Sequence, residues 1–113
     1  MISNVVVSYR VKPEAVPEHV SLIEAVFEQL RSEQPDDVEY KVLRLDDGVS
    51  FVHVSTSSTP DGSNPLPRLA SFQDFGRDIA ARVATSPTPT AADLIGSYVP
   101  ATAAADRSAQ ASG

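Results

Sequence analysis

The order of segments along this chain predicts an α+β domain of ferredoxin-like topology, β-α-β-β-α-β, whose antiparallel sheet carries both helices on one face. Three observations predict it. A β-branched run at residues 3–11 precedes an apolar stripe of helical period. Two strand-like runs then flank Asp46-Asp47-Gly48, and a second helical stripe is followed by an apolar run ending at Pro100.

The first run, Ser-Asn-Val-Val-Val-Ser-Tyr-Arg-Val, is rich in β-formers and stops at Lys12-Pro13, which predicts the first strand. From Pro17 onward, Val20, Ile23, Phe27 and Leu30 recur at steps of three and four, while Glu18, Glu24, Glu28 and Arg31 fall on the other face. Pro17 suits the first helical position, where no N–H is needed, and Pro35 ends the helix after Gln34. His19 lies at the edge of this stripe and reads as a boundary residue.

Residues 38–45 and 49–56 predict a β-hairpin across the Asp-Gly turn. Its register has two solutions. A two-residue loop pairs His53 with Val42 and puts it on one face with Tyr40, Arg44 and Phe51; a three-residue loop with a bulge at Gly48 pairs it with Lys41. Residues 57–67 collect Ser, Thr, Pro, Asp, Gly and Asn and predict a long loop, with Asn64 capping the second helical region. Leu69, Phe72, Phe75, Ile79 and Val83 mark that second helix, with Ser71 and Asp74 spaced as a capping box and Gly76 as a weak point. Thr85-Ser86-Pro87-Thr88-Pro89-Thr90 reads as a rigid loop and residues 92–99 as the last strand. Residues 1–100 thus form one domain, and the Ala/Ser-rich tail 101–113 is expected to be disordered.

Composition narrows the function. The 113 residues are 42% hydrophobic and 21% charged, ordinary for one globular domain. A formal net charge of −6 with nine basic residues argues against a nucleic-acid surface, which needs clustered Lys and Arg. No apolar run approaches the length of a membrane span, and Met1-Ile2-Ser3-Asn4 does not start a secretion signal, so a cytoplasmic location is expected. There is no Cys, hence no thiolate nucleophile. Neither His pairs with another ligand at metal-binding spacing, no Gly-x-Ser-x-Gly elbow is present, and the glycines are isolated, so no metal or cofactor is expected.

Both faces of the expected sheet are apolar. Val5 and Val7 oppose Val6, Phe51 opposes Val52 and Val54, and Leu94 and Tyr98 oppose Ile95 and Val99. Two helices cover one face only, so a second copy of the chain is expected to cover the other.

The strand Val-Val-Val-Ser-Tyr-Arg-Val, the hairpin Leu-Asp-Asp-Gly-Val-Ser-Phe-Val-His-Val, Ser-Asn-Pro-Leu-Pro, the helix Phe-Gln-Asp-Phe-Gly-Arg-Asp-Ile and the closing Leu-Ile-Gly-Ser-Tyr together resemble the antibiotic biosynthesis monooxygenase (ABM) superfamily across residues 3–100. The resemblance implies a dimeric α+β barrel. It also implies a choice among cofactor-independent oxygenases of aromatic polyketides, haem-degrading enzymes and small proteins of unassigned reaction. The chain differs from the two enzyme groups in having no Trp, a usual feature of their pockets.

The candidate site residues are Tyr9, His53, Phe72 and Tyr98. His53 titrates near neutrality inside an apolar strand, which suits either a proton-transferring or ligand-contacting group or a hydrogen-bonded core histidine. The aromatic side chains, with Phe27 and Phe75, suit either a cavity for a flat apolar molecule or plain core. Arg10 has an anion-binding reading and an exposed strand-end reading. The expected function is a small homodimer binding an apolar or aromatic ligand; the alternative is a cofactor-independent monooxygenase or isomerase on an aromatic or polyketide-like compound, with His53 or a tyrosine moving a proton. A cavity of roughly 300 Å³ with His53 at its wall favours the alternative, and a filled core removes it.

Overall fold

The computed structural model describes residues 2–100. Strands β1 (Ile2–Val11), β2 (Val38–Arg44), β3 (Ser50–Ser58) and β4 (Val83–Ala92) form one sheet in the order β2-β3-β1-β4, with every neighbour antiparallel. Helix α1 (Val16–Glu33) joins β1 to β2, and the short helices α2 (Ala70–Gly76) and α3 (Ile79–Arg82) join β3 to β4. This is the expected ferredoxin-like arrangement. The expectation for the tail 101–113 lies outside the described residues.

Periodicity explains which side of each element is buried. Along β3 burial alternates residue by residue, with Phe51, His53, Ser55 and Ser57 inward and Val52 and Val54 half-exposed on the other face. On α1 the buried positions are His19, Ile23 and Val26, at steps of four and three. Together with Tyr9, Val11, Phe51, Leu66, Leu69 and Phe75, Ile23 and Val26 form the core between sheet and helices. Val11 and Val26 are each 1% exposed, and burying a side chain of this kind stabilises the fold by about 1.5–3 kcal/mol.

The helix start shifts slightly from expectation. A 3-10 turn over Pro13–Ala15 leads in, α1 begins at Val16, and Pro17 occupies its second position. It ends at Glu33, where Gln34 turns left-handed (φ 50°) and donates its N–H to Leu30 O at 2.8 Å, before Pro35 can enter the helix.

The hairpin takes the first of the two registers, with Val42 opposite His53 and Arg44 opposite Phe51. Leu45 closes the ladder by donating to Ser50 O at 2.9 Å, so the connection is residues 46–49 rather than two residues. Gly48 supplies the positive φ of 78° that the turn requires. The Ser50 hydroxyl donates to Asp47 Oδ2 at 2.5 Å and, with the N–H groups of Ser50 and Val49 donating to Oδ1 at 2.8 and 3.0 Å, holds this exposed carboxyl below its usual range.

The second half of the chain corrects the sequence reading in three places. The second helix is broken: α2 stops at Gly76, Asp78 adopts φ 61°, and α3 is a separate turn. Ser71 does not cap it. Leu69 stands at the N-cap, and the Ser71 hydroxyl donates instead to Gln29 Oε1 on α1 at 2.5 Å. The largest correction is the last strand. The Thr/Pro segment expected as a loop is β4 itself, paired with β1 from Asn4↔Ala92 to Val11↔Val83, and residues 93–100 carry no regular structure. Proline is tolerated there because β4 is an edge strand, where every second N–H faces away from the partner, and because the register shifts between Ser8 and Arg10, opposite Ser86 and Pro87.

Candidate functional site

A chain of polar side chains runs through the apolar layer between sheet and helices. Tyr9, on the inward face of β1, has its hydroxyl 2.6 Å from His53 Nε2 on β3 and 2.6 Å from His19 Nε2 on α1. At one end Tyr40 Oη, on β2, lies 2.5 Å from His53 Nδ1. At the other end Arg82, on α3, donates its Nε–H to His19 Nδ1 at 3.1 Å. Five elements therefore supply one continuous hydrogen-bonded row.

The row is dry. His19 is 0% exposed, His53 6% and Arg82 5%. Rings surround it: Phe51 stacks on Tyr9 with centroids 6.0 Å apart and meets His19 at 4.9 Å, while Phe75 sits 5.0 Å from His19 and 5.6 Å from His53. Burial pushes both imidazoles down to about 4, aided at His19 by the Arg82 charge and at His53 by His19, so both are neutral at pH 7. Burial also pushes the Tyr9 and Tyr40 hydroxyls well above the usual phenol range; at Tyr9 the neighbouring Tyr40 adds to the rise and Arg82 opposes it.

Arg82 has no carboxylate partner among the described residues. It is held by carbonyls at the C-terminal end of α2, donating through Nη2 to Phe75 O at 2.5 Å and through Nη1 to Arg77 O at 3.3 Å, with its guanidinium over the Phe75 ring at 5.5 Å. Those carbonyls are orphan acceptors carrying the negative end of the helix dipole, which suits a buried cation. The break at Gly76 and Asp78 frees the Arg77 carbonyl and turns the chain so that Arg82 can reach back.

An open groove of about 280 Å³ lies beside the Tyr40 end, between the last turn of α1, the start of β2 and the 3-10 turn Leu66–Arg68. Leu30, Val38, Leu66 and Leu69 line it, with Arg68, Glu33, Asp36 and Asp37 also at its walls. One turn or one pleat further along three walls stand Phe27, Tyr40 and Phe72. Phe27 stacks on Tyr40 at 5.2 Å, and Phe72 meets it edge-on at 6.4 Å. Asn64 Oδ1 fixes the groove's loop by accepting the Leu66 N–H at 3.0 Å.

Of the four candidates named from sequence, Tyr9 and His53 are hydrogen-bonded to one another, and Phe72 meets the Tyr40 ring edge-on. Tyr98 is not brought in; it is 87% exposed on the segment after β4. Arg10 is exposed, its backbone N–H tied to Thr85 Oγ1 at 2.8 Å. Sequence reasoning missed His19, Tyr40 and Arg82 as site residues. The spacing of His19 with Ile23 and Val26 carried the signal that it faces inward, and Tyr40 shares the His53 face in the register observed. For Arg82 no local pattern exists. The groove does not have His53 in its wall, and the space around His53 is filled by rings.

No family model matches the chain, and no curated protein matches it. Solved structures do. An antibiotic biosynthesis monooxygenase superposes with TM-score 0.68 at 18% identity over 85% of this chain and 100% of the other. Rv0793 from Mycobacterium tuberculosis gives 0.70 at 13% over 88% and 100%, and SnoaB, a cofactor-independent oxygenase from Streptomyces nogalater, gives 0.62 at 16% over 85% and 95%. The fold is that of the antibiotic biosynthesis monooxygenases. Identity this low fixes the ABM fold and leaves the chemistry to the side chains described above. Among the described residues no helix of this ABM-fold chain is long and apolar enough to cross a membrane.

Proposed function

We propose that this chain works in the cytoplasm as a homodimeric ABM-fold protein that binds a small apolar or aromatic ligand in the groove between α1, β2 and the 3-10 turn Leu66–Arg68. The observation that carries the reading is the open groove with Leu30, Val38, Leu66 and Leu69 in its walls, on elements that also carry the packed rings of Phe27, Tyr40 and Phe72. A concavity with apolar side chains in its floor and charged ones at its walls can hold the apolar body of a small organic ligand. Dimerisation is supported by apolar surface that the chain leaves open: Leu43 is 51% exposed on the outer sheet face, and Leu94 and Ile95 are 68% and 95% exposed after β4.

A second reading, cofactor-independent oxygenation or isomerisation, draws on the shared fold with SnoaB. His53 is sealed behind Tyr40, which speaks against its acting as the direct acid or base.

There is no Trp, and once the exposed Tyr98 is replaced by Phe, intrinsic emission comes from Tyr9 and Tyr40 alone. Titration with anthraquinone-2-sulfonate, a planar probe, is expected to quench it saturably, and Val38→Phe, which fills the groove, is expected to weaken the effect. Linear, unsaturable quenching that Val38→Phe leaves unchanged would discard the groove as a binding site.

A further inference from the structure

The walls of the groove are charged unevenly. Glu33, Asp36 and Asp37 stand at it against one cation, Arg68, so three carboxylates less one guanidinium leave a formal charge of −2. Arg68 does not neutralise them: among the described residues it forms no ion pair, and the carboxylates of Asp36 and Asp37 have neither an ion pair nor a hydrogen bond. Glu33 is engaged by a neutral group, its Oε2 accepting from Gln29 Nε2.

The backbone adds charge of the same sign. Helix α1 ends at this groove, with Leu30, Glu33 and Pro35 in the walls. Gln34 returns its N–H to Leu30 O, but Pro35 has no N–H to give, and among the described residues no donor reaches the carbonyls of Arg31, Ser32 or Glu33. These orphan acceptors form the negative end of an 18-residue helix dipole, equivalent to about half an elementary charge. Arg31, the basic residue of that last turn, is exposed and outside the groove walls.

We infer that the groove selects a cationic ligand, a small apolar primary amine whose hydrocarbon body lies on Leu30, Val38, Leu66 and Leu69 and whose ammonium meets the carboxylates of Asp36 and Asp37. The inference rests on the reading of this groove as a ligand site and adds the charge of the ligand. A primary ammonium brings three donors and no acceptor, and the unpaired groups at this end of α1 are all acceptors. A ligand bearing a carboxylate would meet Arg68 alone against three like charges. Because the groove opens to water these charges are screened, and the discrimination is moderate rather than absolute.

Three probes that differ in one terminal group, phenylbutylamine, phenylbutanol and phenylbutyrate, test this by isothermal titration calorimetry at pH 7. The amine is expected to bind about tenfold tighter than the alcohol, and the carboxylate no tighter than the alcohol. The preference for the amine is expected to fall to about twofold in Asp36→Asn with Asp37→Asn, and to shrink as NaCl is raised from about 0.02 to about 0.5 M. Neither aspartate side chain bonds to the rest of the protein, so the double variant keeps the contacts of the fold. Glu14→Gln with Glu18→Gln removes two exposed carboxylates roughly 20 Å away, at the opposite end of α1, and is expected to leave the preference unchanged. Equal affinity for amine and alcohol, or tighter binding of phenylbutyrate, would overturn the charge assignment and leave the groove as an apolar site. A preference that the Asp36 and Asp37 variant keeps and the Glu14 and Glu18 variant loses would overturn it as well. If none of the three probes binds, the ligand class falls together with the groove reading.

Discussion

Tyr9 serves two imidazoles with a single hydroxyl, and its loss has a definite cost. Tyr9→Phe leaves His19 Nε2 and His53 Nε2 facing each other without a partner in an apolar cage. A destabilisation of about 1–3 kcal/mol is expected in urea unfolding. The histidines also set a pH dependence. Both have folded pKa values near 4 against an ordinary 6.5, so below pH 6.5 the unfolded chain binds protons that the folded chain refuses. Stability is full above about pH 6.5, falls as pH drops toward 4, and stops falling on their account below that. Each histidine contributes a slope of up to about 1.4 kcal/mol per pH unit in that window. Urea midpoints measured from pH 7 to pH 4.5 check this, and a flat profile would mean that the imidazoles are not buried as neutral bases.

At the scale of elements, two positions hold left-handed backbone without a glycine. Gln34 (φ 50°) ends α1 and Asp78 (φ 61°) separates α2 from α3. A side chain in that region costs about 1–2 kcal/mol, part of which glycine gives back through its floppier unfolded chain. Gln34→Gly is expected to raise thermal stability by about 0.5–1 kcal/mol, read as a higher Tm. Gly48→Ala in the hairpin runs the other way, because its φ of 78° admits no Cβ without strain, although nothing crowds the position. The last strand is the element that local pattern misassigns. Residues 92–99 have the apolar content of a strand, yet Thr/Pro-rich β4 takes the edge beside β1, because pairing with an existing strand outweighs local preference.

For the whole molecule the open question is what covers the outer sheet face and the segment after β4. Val6, Val52 and Val54 are half-exposed on that face beside Leu43, and Tyr98 and Val99 join Leu94 and Ile95 as exposed apolar groups. Sedimentation equilibrium is expected to report a dimer, and Val54→Lys, which sets a charge in the middle of the sheet face, to shift it toward monomer while the far-ultraviolet spectrum stays native. A stable monomer at high concentration would detach the dimer proposal from the fold, since the ferredoxin-like topology stands on the contacts within one chain.

Periodicity in the sequence determined the element order, the helix α1, the hairpin and the inward-facing alternation of Phe51 and His53, because those are local properties: 3.6-residue and two-residue repeats are written where they act. It left the hairpin register with two solutions, and cross-strand pairing of Val42 with His53 chose between them. It could not show that His19, Tyr40 and Arg82 join Tyr9 and His53, since bonded residues up to 63 positions apart meet only when five elements pack on one another. The tertiary structure alone decided that Tyr98 stays outside, that His53 is sealed among rings rather than at a cavity wall, and that the Arg82 guanidinium, held by a carbonyl of a broken helix, closes one end of the row. Such long-range bonds hold because the apolar core excludes water from their partners, and no stretch of chain encodes that exclusion by itself.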